Sequence, residues 1–381
     1  MKINLLYIVS HPIQYQSPLL QKIAKDSDFV LSVLYEKQIS TKGAFDRGFG
    51  QNVIWDVPLL EGFDYQTVRG KKSIIPAILK ADILWVHGWN SFLNRYAIRF
   101  AKKMNVPVLM RGENTSIAMP DGSGLRGFIK KQYLNSIFSH CDGFLCVGQD
   151  NRRYYKEHGV KEQKLFSMPY SVDNGFFQRL SDAASFERKE LRKKLGLDSK
   201  SPVILFAGKL QERKNPHILL EAFCKLSHSY LRNPYLIFVG DGEMREKLQQ
   251  RKTNIQARIK FLGFKNQTEL PSFYGLADVF VLPSEKEPWG LSVNEAMNCE
   301  TPVIVSDQCG SAIDLVDPSC GRIVIAGNVK SLCDALTDIL KDRSKNIEMG
   351  KRARQKINTW SFNESISGLK RACYYLEQHP T

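Results

Sequence analysis

The chain has 381 residues, of which 43% are hydrophobic, and its formal net charge is +15 at pH 7. This length can bury two cores of ordinary domain size, and no apolar run approaches the roughly 18 residues that a membrane-spanning helix needs. The opening residues run straight into a strand pattern, so we expect no signal peptide. The eight cysteines are scattered without the spacing of metal ligands, which favours reduced cysteines in a cytoplasmic protein.

The basic excess is spread along the chain. Residues 1–180 carry 24 Lys and Arg against 15 Asp and Glu, and the remainder carries 30 against 24. A positive charge of this size attracts anionic membrane surfaces, phosphorylated ligands or nucleic acid, and it does not distinguish among them. Nucleic acid is the least favoured of these three ligands, because the chain lacks interleaved aromatic and basic residues and a known nucleic-acid-binding motif.

Short apolar runs alternate with helical patterns, which predicts parallel sheets wound with helices. In the first half we expect strands at 3–9, 29–34, 83–87, 107–110 and 143–147, and helices near 16–26, 91–104, 124–139 and 149–158. In the second half we expect strands at 203–207, 235–239, 258–261, 278–282, 302–305 and 322–325, then helices at 328–341, at 343–358 and from 361. The charge-rich run 181–200 is expected to form a helix between the halves.

Polar residues follow several strands of the first half. They are His11, Gln14, His87, Arg111 and Glu113. Ligands of open parallel sheets bind at the carboxyl ends of the strands, so these side chains are candidate contacts. A structural role for a lone histidine, and a plain surface loop at 111–115, are the alternatives.

The run 125–134 is basic and amphipathic. Helices of this kind can lie on anionic lipid. A helix that packs on the sheet with a solvated basic edge is the alternative, and both can hold together.

A basic turn follows the strand at 203–207. Gly208 allows the backbone to turn tightly, and Lys209 and Lys214 stand five residues apart. Two cations at this spacing could grip a diphosphate, although a basic turn is more often a solvated loop.

Two carboxylates flank an expected helix start in the run from Glu287 to Glu295. Glu287 would lie in the loop before Gly290, and Glu295 about a turn and a half inside the helix. The free backbone N–H groups of a helix start favour phosphate. Carboxylates for hydroxyls beside such a helix start are typical of a nucleotide-sugar site, whereas a solvated loop and helix surface is the alternative for an arbitrary pair.

The stretch 285–310 resembles the donor-binding segment of the family 4 retaining glycosyltransferases. The likeness lies in the Glu-x7-Glu spacing, with Trp289 and Gly290 after the first Glu. The basic turn is similar to the family's diphosphate element, with Lys209 and Lys214 in its two basic positions. Lys at 209 in place of the commoner Arg gives up bidentate geometry, and Asn215 stands where a Gly often follows.

The resemblance implies a GT-B fold, in which two Rossmann-like, doubly wound α/β domains face each other across a cleft. Residues 1–178, with a closing helix at 361–381, would form the acceptor-binding domain. Residues 179–360 would form the nucleotide-sugar-binding domain.

The resemblance also implies roles for individual residues. Glu295 would bind the ribose hydroxyls and Glu287 the hydroxyls of the transferred sugar. Lys209, Lys214 and the helix start would stabilise the departing diphosphate. His87, as a neutral imidazole, would orient a hydroxyl or a phosphate oxygen. Further donor contacts are expected from Gly240, Gly263, Phe264, Trp289, Gly290 and Leu291. His11, Gln14, Arg111 and Glu113 are candidate contacts to acceptor or sugar.

The function that this resemblance implies is retaining transfer of a hexose-type sugar from a nucleoside-diphosphate sugar to a glycan or glycolipid in surface-polysaccharide or glycoconjugate assembly. The opening run 11–15, His-Pro-Ile-Gln-Tyr, resembles that of a subset of bacterial members and favours such acceptors. No divalent metal or other cofactor is expected, because the lysines and the helix start would neutralise the leaving group. We expect a cytoplasmic protein, with peripheral contact at the inner face of an anionic membrane left open.

Two other functions stay open. One is a GT-B sugar-nucleotide epimerase or phosphorylase. The other is a non-catalytic protein that binds sugar nucleotides.

Overall fold

The computed structural model describes residues 2–37, 43–117, 120–227, 230–251 and 256–379. Its strands are β1 (Ile3–Val9), β2 (Phe29–Tyr35), β3 (Ala44–Asp46), β4 (Gln51–Val53), β5 (Asp64–Thr67), β6 (Ile83–His87), β7 (Val108–Arg111), β8 (Gly143–Cys146), β9 (Leu165–Ser167), β10 (Val203–Ala207), β11 (Tyr235–Val239), β12 (Ile259–Phe261), β13 (Val279–Leu282), β14 (Val303–Ser306) and β15 (Gly321–Val324). Its helices are α1 (Ser17–Lys25), α2 (Lys71–Lys80), α3 (Phe92–Lys103), α4 (Gly124–Phe138), α5 (Gln149–Glu157), α6 (Asn174–Lys194), α7 (Pro216–Lys225), α8 (Arg245–Gln250), α9 (Leu270–Leu276), α10 (Leu291–Asn298), α11 (Ala312–Leu315), α12 (Val329–Leu340), α13 (Arg343–Ile357) and α14 (Phe362–Gln378).

The predicted strands are all present, each with bounds within one residue of those expected. The helix expected over the charge-rich run 181–200 corresponds to α6, which starts earlier, at Asn174, and ends at Lys194. Among the described residues, no helix is both long enough and apolar enough to cross a bilayer.

The first unit comprises Met1–Thr41, Val57–Asp173 and Trp360–Thr381. Its parallel sheet has the strand order β5-β2-β1-β6-β7-β8-β9. Both faces of this sheet are covered. Leu6 and Ile8 of β1 enter the core shared with α2, α3, α4 and α5, whereas the alternate residues Leu5 and Tyr7 enter the core shared with α1 and α14. Strands buried on both faces explain why the sequence shows nearly continuous apolar runs.

The closing helix α14 completes the first unit. The Ser365 hydroxyl donates to the carbonyl of Pro169 at 2.8 Å. A Cβ added to Gly368 would lie 1.8 Å from the Ser167 carbonyl oxygen, so only glycine allows this approach. Leu369 and Leu376 are buried in the core that α14 shares with α1.

The second unit comprises Lys42–Asp56 and Asn174–Thr359. Its parallel sheet has the order β12-β11-β10-β13-β14-β15, and α7 and α12 pack against one face of it. The antiparallel pair β3–β4 lies in this unit as well. The predicted division placed all of residues 1–178 in the first domain, whereas 43–56 and 174–178 lie in the second unit. The segment 43–56 makes its contacts with residues far along the chain, which local sequence does not reveal.

Candidate functional site

The loop that leads into α10 is held in place by its neighbour, the segment 308–311. The Glu287 N–H donates to the Gln308 carbonyl at 3.1 Å, and the Gly310 N–H donates to the Glu287 carbonyl at 3.0 Å. Gly290 has φ +90°, and a Cβ there would lie 2.6 Å from a methyl carbon of Leu282. The glycine therefore fits both the left-handed backbone and the tight packing. Helix α10 follows, and no described side chain caps its start.

Lys214 and Glu287 form a buried ion pair. The Lys214 ammonium donates to Oε2 of Glu287 at 2.7 Å, and their side chains are 11% and 10% exposed. Arg213 lies 3.4 Å from the same oxygen. Asn215 adopts a left-handed conformation with φ +51°. Asparagine tolerates this region better than most residues, which explains how it replaces the usual glycine.

Lys209 lies at the other side of the basic turn. Its ammonium is 2.8 Å from Oδ1 and 2.9 Å from Oδ2 of Asp46. A Cβ added to Gly208 would lie 3.9 Å from the ammonium of Lys214. Both lysines of the turn after β10 thus face a carboxylate, and Arg213 shares the carboxylate of Glu287.

Glu295 lies on α10 with its carboxyl group against Tyr274. The Tyr274 hydroxyl donates to Oε2 of Glu295 at 2.7 Å. Although part of the Glu295 side chain is exposed, burial raises the pKa of its carboxyl group to about 7. The hydrogen bond from Tyr274 and the charge of Lys214 oppose this rise. Near neutral pH the group is therefore divided between its protonated and ionised forms.

The glycine turns after β10, β11 and β12 approach one another closely. The Gly240 N–H donates to the Gly263 carbonyl at 2.7 Å. Gly240 has φ +125°, and a Cβ there would lie 1.9 Å from the Gly208 carbonyl oxygen. Phe264 follows, with its ring centroid 4.9 Å from that of Phe49. The structure thus brings the predicted donor-binding residues of the second unit to the carboxyl ends of neighbouring strands.

His87 ends β6 in the first unit. Its Nδ1 lies 2.9 Å from the Tyr7 hydroxyl and 3.3 Å from the Gln16 side-chain nitrogen, and its Nε2 lies 3.9 Å from Glu113. Burial, followed by the positive charges of Arg111 and His11, lowers the pKa of His87 to about 3. The imidazole is therefore neutral at physiological pH, and its approach to Glu113 is not an ion pair.

Arg111 is buried, which excludes the surface-loop alternative for this residue. Its guanidinium carbon lies 5.3 Å from the centroid of the Tyr170 ring. The Tyr170 hydroxyl in turn donates to the Glu113 carboxylate. His11 is exposed after β1, with Nδ1 2.8 Å from the Ser10 hydroxyl. Arg111 and Glu113 thus join His87 in one polar cluster of the first unit.

Sequence reasoning missed several members of these clusters. Tyr7, Gln16 and Tyr170 surround His87 and Glu113, and Tyr274 holds Glu295. The tyrosines lie in apolar runs that indicate core positions, so no local signal marked their hydroxyl groups. Gln16, unlike the predicted Gln14, contacts the histidine.

The described residues contain no group of three or more His, Cys, Asp or Glu side chains that could hold a metal ion. All eight cysteines are free thiols. The expectation that the reaction needs no metal stays a prediction.

Residues 187–356 match the family described as Glycosyl transferases group 1. Over 240 residues the chain is 27% identical to the GDP-mannose-dependent monoacylated alpha-(1-6)-phosphatidylinositol monomannoside mannosyltransferase of Corynebacterium glutamicum, covering 61% of this chain and 62% of that protein. Over 233 residues it is 30% identical to the UDP-Gal:alpha-D-GlcNAc-diphosphoundecaprenol alpha-1,3-galactosyltransferase of Escherichia coli, covering 59% and 58%. The chain therefore spans less than two thirds of both relatives.

Solved structures match over nearly the full length. Anabaena HepE, crystallised in complex with UDP-glucose, matches with a TM-score of 0.73 at 16% identity, covering 99% of this chain and 100% of that chain. At this identity the likeness shows the fold. The predicted architecture of two Rossmann-like units with parallel sheets, as in GT-B structures, is confirmed.

Proposed function

Because residues 187–356 match the family described as Glycosyl transferases group 1, we propose that the chain is a retaining transferase. It moves a hexose-type sugar from a nucleoside-diphosphate sugar to a glycan or glycolipid acceptor. The observation that carries the proposal is the buried Lys214–Glu287 pair, which stands at a strand end beside the uncapped start of α10. The two curated relatives are named for sugar nucleotides as donors and for lipid-linked acceptors, which supports the same classes here.

The two glutamates bind different parts of the donor. An ionised carboxylate accepts hydrogen bonds only, so it suits pairs of sugar hydroxyls. Glu295, on α10, binds the ribose hydroxyls. Glu287, whose backbone is held from both sides, binds the hydroxyls of the transferred sugar.

The leaving group is the diphosphate. When the bond between the sugar C1 and the phosphate oxygen breaks, negative charge accumulates on the phosphate oxygens. The ammonium groups of Lys209 and Lys214 and the first N–H groups of α10 are fixed donors that can stabilise this charge. These groups take the part that a divalent cation would otherwise play, so the proposed reaction is independent of metal.

His87 acts without changing its protonation state. With a pKa of about 3, the imidazole is neutral throughout the physiological range. A neutral ring can donate from one nitrogen and accept at the other, so it orients a hydroxyl or a phosphate oxygen and does not serve as the nucleophile.

The acceptor contacts are proposed for the first unit. Glu113 has a side chain that is 30% exposed, and His11 is exposed, so both can reach a sugar hydroxyl, as can the half-buried Gln14. Arg111 is buried against Tyr170. It therefore serves to hold Tyr170 and Glu113 in position.

A donor screen tests the proposal. Purified protein is incubated with UDP-, GDP- and TDP-sugars and an acceptor extract, and the products are identified by mass. Transfer of a sugar to the acceptor is expected, with loss of nucleoside-diphosphate binding in Glu295→Ala but not in Glu348→Ala. The control residue is an exposed glutamate on α13, which pairs with Arg352. A new sugar nucleotide as the product would indicate an epimerase, and turnover that requires inorganic phosphate would indicate a phosphorylase. Binding without turnover would indicate the non-catalytic alternative.

The outward face of α4 supports contact with a membrane. Leu125 is 74% exposed, and Phe128 and Ile129 are each 58% exposed. Arg126 and Lys131 are exposed on the same helix, while its inner face belongs to the core of the first unit. Exposed apolar side chains flanked by cations suit an anionic lipid surface. The packed and the lipid-facing interpretations of this helix are therefore compatible.

Vesicle sedimentation tests this contact. At low salt, the protein is expected to sediment with phosphatidylglycerol vesicles, and the double variant Phe128→Ser/Ile129→Ser is expected to stay in the supernatant. Phe186→Ser is the control, because Phe186 is 89% exposed on α6. Equal sedimentation of the wild type and the double variant would exclude α4 as the contact.

A further inference from the structure

Residues 43–56, here called the hairpin segment, contain β3 and β4 and lie against the loops of the candidate donor site. The ring of Phe49 stands edge-on to that of Phe264, at 4.9 Å between centroids. A Cβ added to Gly242 would lie 3.0 Å from the Gly48 carbonyl oxygen. The hairpin segment is thus in direct contact with the turns that follow β11 and β12.

The far end of the hairpin segment is anchored by polar contacts. The Asn266 side chain donates to the Ile54 carbonyl at 2.7 Å. The Asp56 carboxylate accepts from the Thr268 N–H at 3.1 Å. Trp55 adds an apolar contact, with its ring centroid 5.9 Å from that of Phe264. These contacts hold the segment on the second unit independently of its tip.

Asp46 connects the tip of the hairpin segment to Lys209. Both of its carboxylate oxygens lie within 2.9 Å of the Lys209 ammonium. Oδ1 also accepts from the N–H groups of Gly48 at 2.8 Å and Phe49 at 3.1 Å. Burial alone would raise the pKa of Asp46, but the hydrogen bond and charge of Lys209 and these N–H groups outweigh it, so the pKa lies below its ordinary value. Asp46 is therefore ionised at neutral pH.

The two lysines of the basic turn are already paired before any donor arrives. Lys209 faces Asp46, and Lys214 faces Glu287. Arg213 also lies 3.4 Å from the Glu287 carboxylate, so Glu287 is shared by two cations, whereas Asp46 offsets the charge of Lys209 one to one. A carboxylate must withdraw if the full charge of its lysine is to act on the leaving group.

The surroundings of the two carboxylates decide which one withdraws. The Glu287 side chain is 10% exposed, and the backbone of this residue is held by residues 308 and 310. The Asp46 side chain is 26% exposed, and the residue ends strand β3 of a short hairpin. Asp46 is the partner that can leave without disturbing a buried loop.

We propose that Asp46 is an internal counter-ion of Lys209, which the diphosphate of a nucleoside-diphosphate ligand displaces on binding. The inference rests on the proposed function, because it assigns the diphosphate to Lys209. It adds that the hairpin segment competes with the ligand and so lowers its affinity. The competing group comes from a part of the chain 163 residues away from the lysine.

The test is the affinity of the full-length protein for UDP, GDP and TDP, measured by calorimetry for the wild type and Asp46→Asn. Asparagine keeps a side-chain oxygen that can accept from Gly48 and Phe49, so the turn is preserved. For a partly exposed pair, we expect Kd to fall by about three- to fivefold. Asp334→Asn removes the same charge from an exposed pair with Lys330, and it is expected to leave Kd unchanged.

A double-mutant cycle isolates the contact. In a Lys209→Met background, which weakens binding, Asp46→Asn is expected to have no further effect. Unchanged or weaker binding by Asp46→Asn in the wild-type background would overturn the inference, because Asp46 would then hold Lys209 in place for the ligand. Failure of the wild type to bind any of the three nucleotides would overturn the proposed function itself.

Discussion

The environment of Glu295 predicts a pH dependence of nucleotide binding. Burial raises the pKa of this carboxyl group to about 7 in the unliganded protein. The ionised form is the better acceptor for two ribose hydroxyls. With this pKa, the ionised fraction is about one tenth at pH 6 and about nine tenths at pH 8. We therefore expect affinity for a nucleoside diphosphate to rise about tenfold from pH 6 to pH 8.

Glu295→Gln supplies the reference for this measurement. The ligand's own phosphates also titrate, but they affect the wild type and the variant alike. Calorimetric Kd values at several pH values are compared, and the difference between the two proteins is assigned to Glu295. Parallel pH profiles for the two proteins, or wild-type binding that weakens towards pH 8, would refute the reasoning.

The carboxyl group of Glu295 also makes the folding stability depend on pH. Its pKa in the folded protein is about 7, above the ordinary value of 4.5. The folded state therefore binds more protons than the unfolded state between these values, and this contribution to stability falls as pH rises through that window. Glu295→Gln is expected to remove this part of the decline, as measured by urea unfolding across the same range.

Further outcomes are expected for three variants and for removal of metal ions. Glu287→Gln leaves the buried ammonium of Lys214 without its counter-charge and should lower the free energy of unfolding by about 2–3 kcal/mol; an unchanged urea midpoint would contradict the burial of the pair. Gly240→Ala should abolish folding of the second unit or cost more than about 3 kcal/mol, because the new Cβ would meet the Gly208 carbonyl oxygen at 1.9 Å. Gly327→Ala, with φ +72° but open space, should cost about 1–2 kcal/mol, and equal losses in the two would refute the steric argument. Transfer activity should be the same after dialysis against EDTA as with added manganese, whereas loss in EDTA that manganese restores would contradict a metal-independent reaction.

The two sheets could be predicted because each central strand is buried on both faces. All five residues of β10 (Val203–Ala207) are buried, and the sequence shows them as one apolar run. In contrast, all four residues of β5 (Asp64–Thr67) are exposed, and β3 and β4 have three residues each. These strands have no apolar signature, so no pattern in the sequence predicts them.

The candidate donor site could be predicted where several of its side chains lie close together in the sequence. Glu287 and Glu295 lie eight positions apart, and Lys209 and Lys214 lie five apart, so their spacing is visible in the sequence. Tyr274 and Asp46 come from other elements, and only the fold places them against Glu295 and Lys209. The spacing indicates which groups bind a ligand, whereas the partners that set their charge depend on tertiary contacts.

The placement of α14 has a consequence for how the protein is made. Its buried leucines fill a core whose other walls are built from the first part of the chain. During synthesis, domains usually acquire their structure in the order in which they leave the ribosome. Here the interior of the first unit stays incomplete until α14 leaves the ribosome. The second unit can therefore fold before the first, which reverses the usual order.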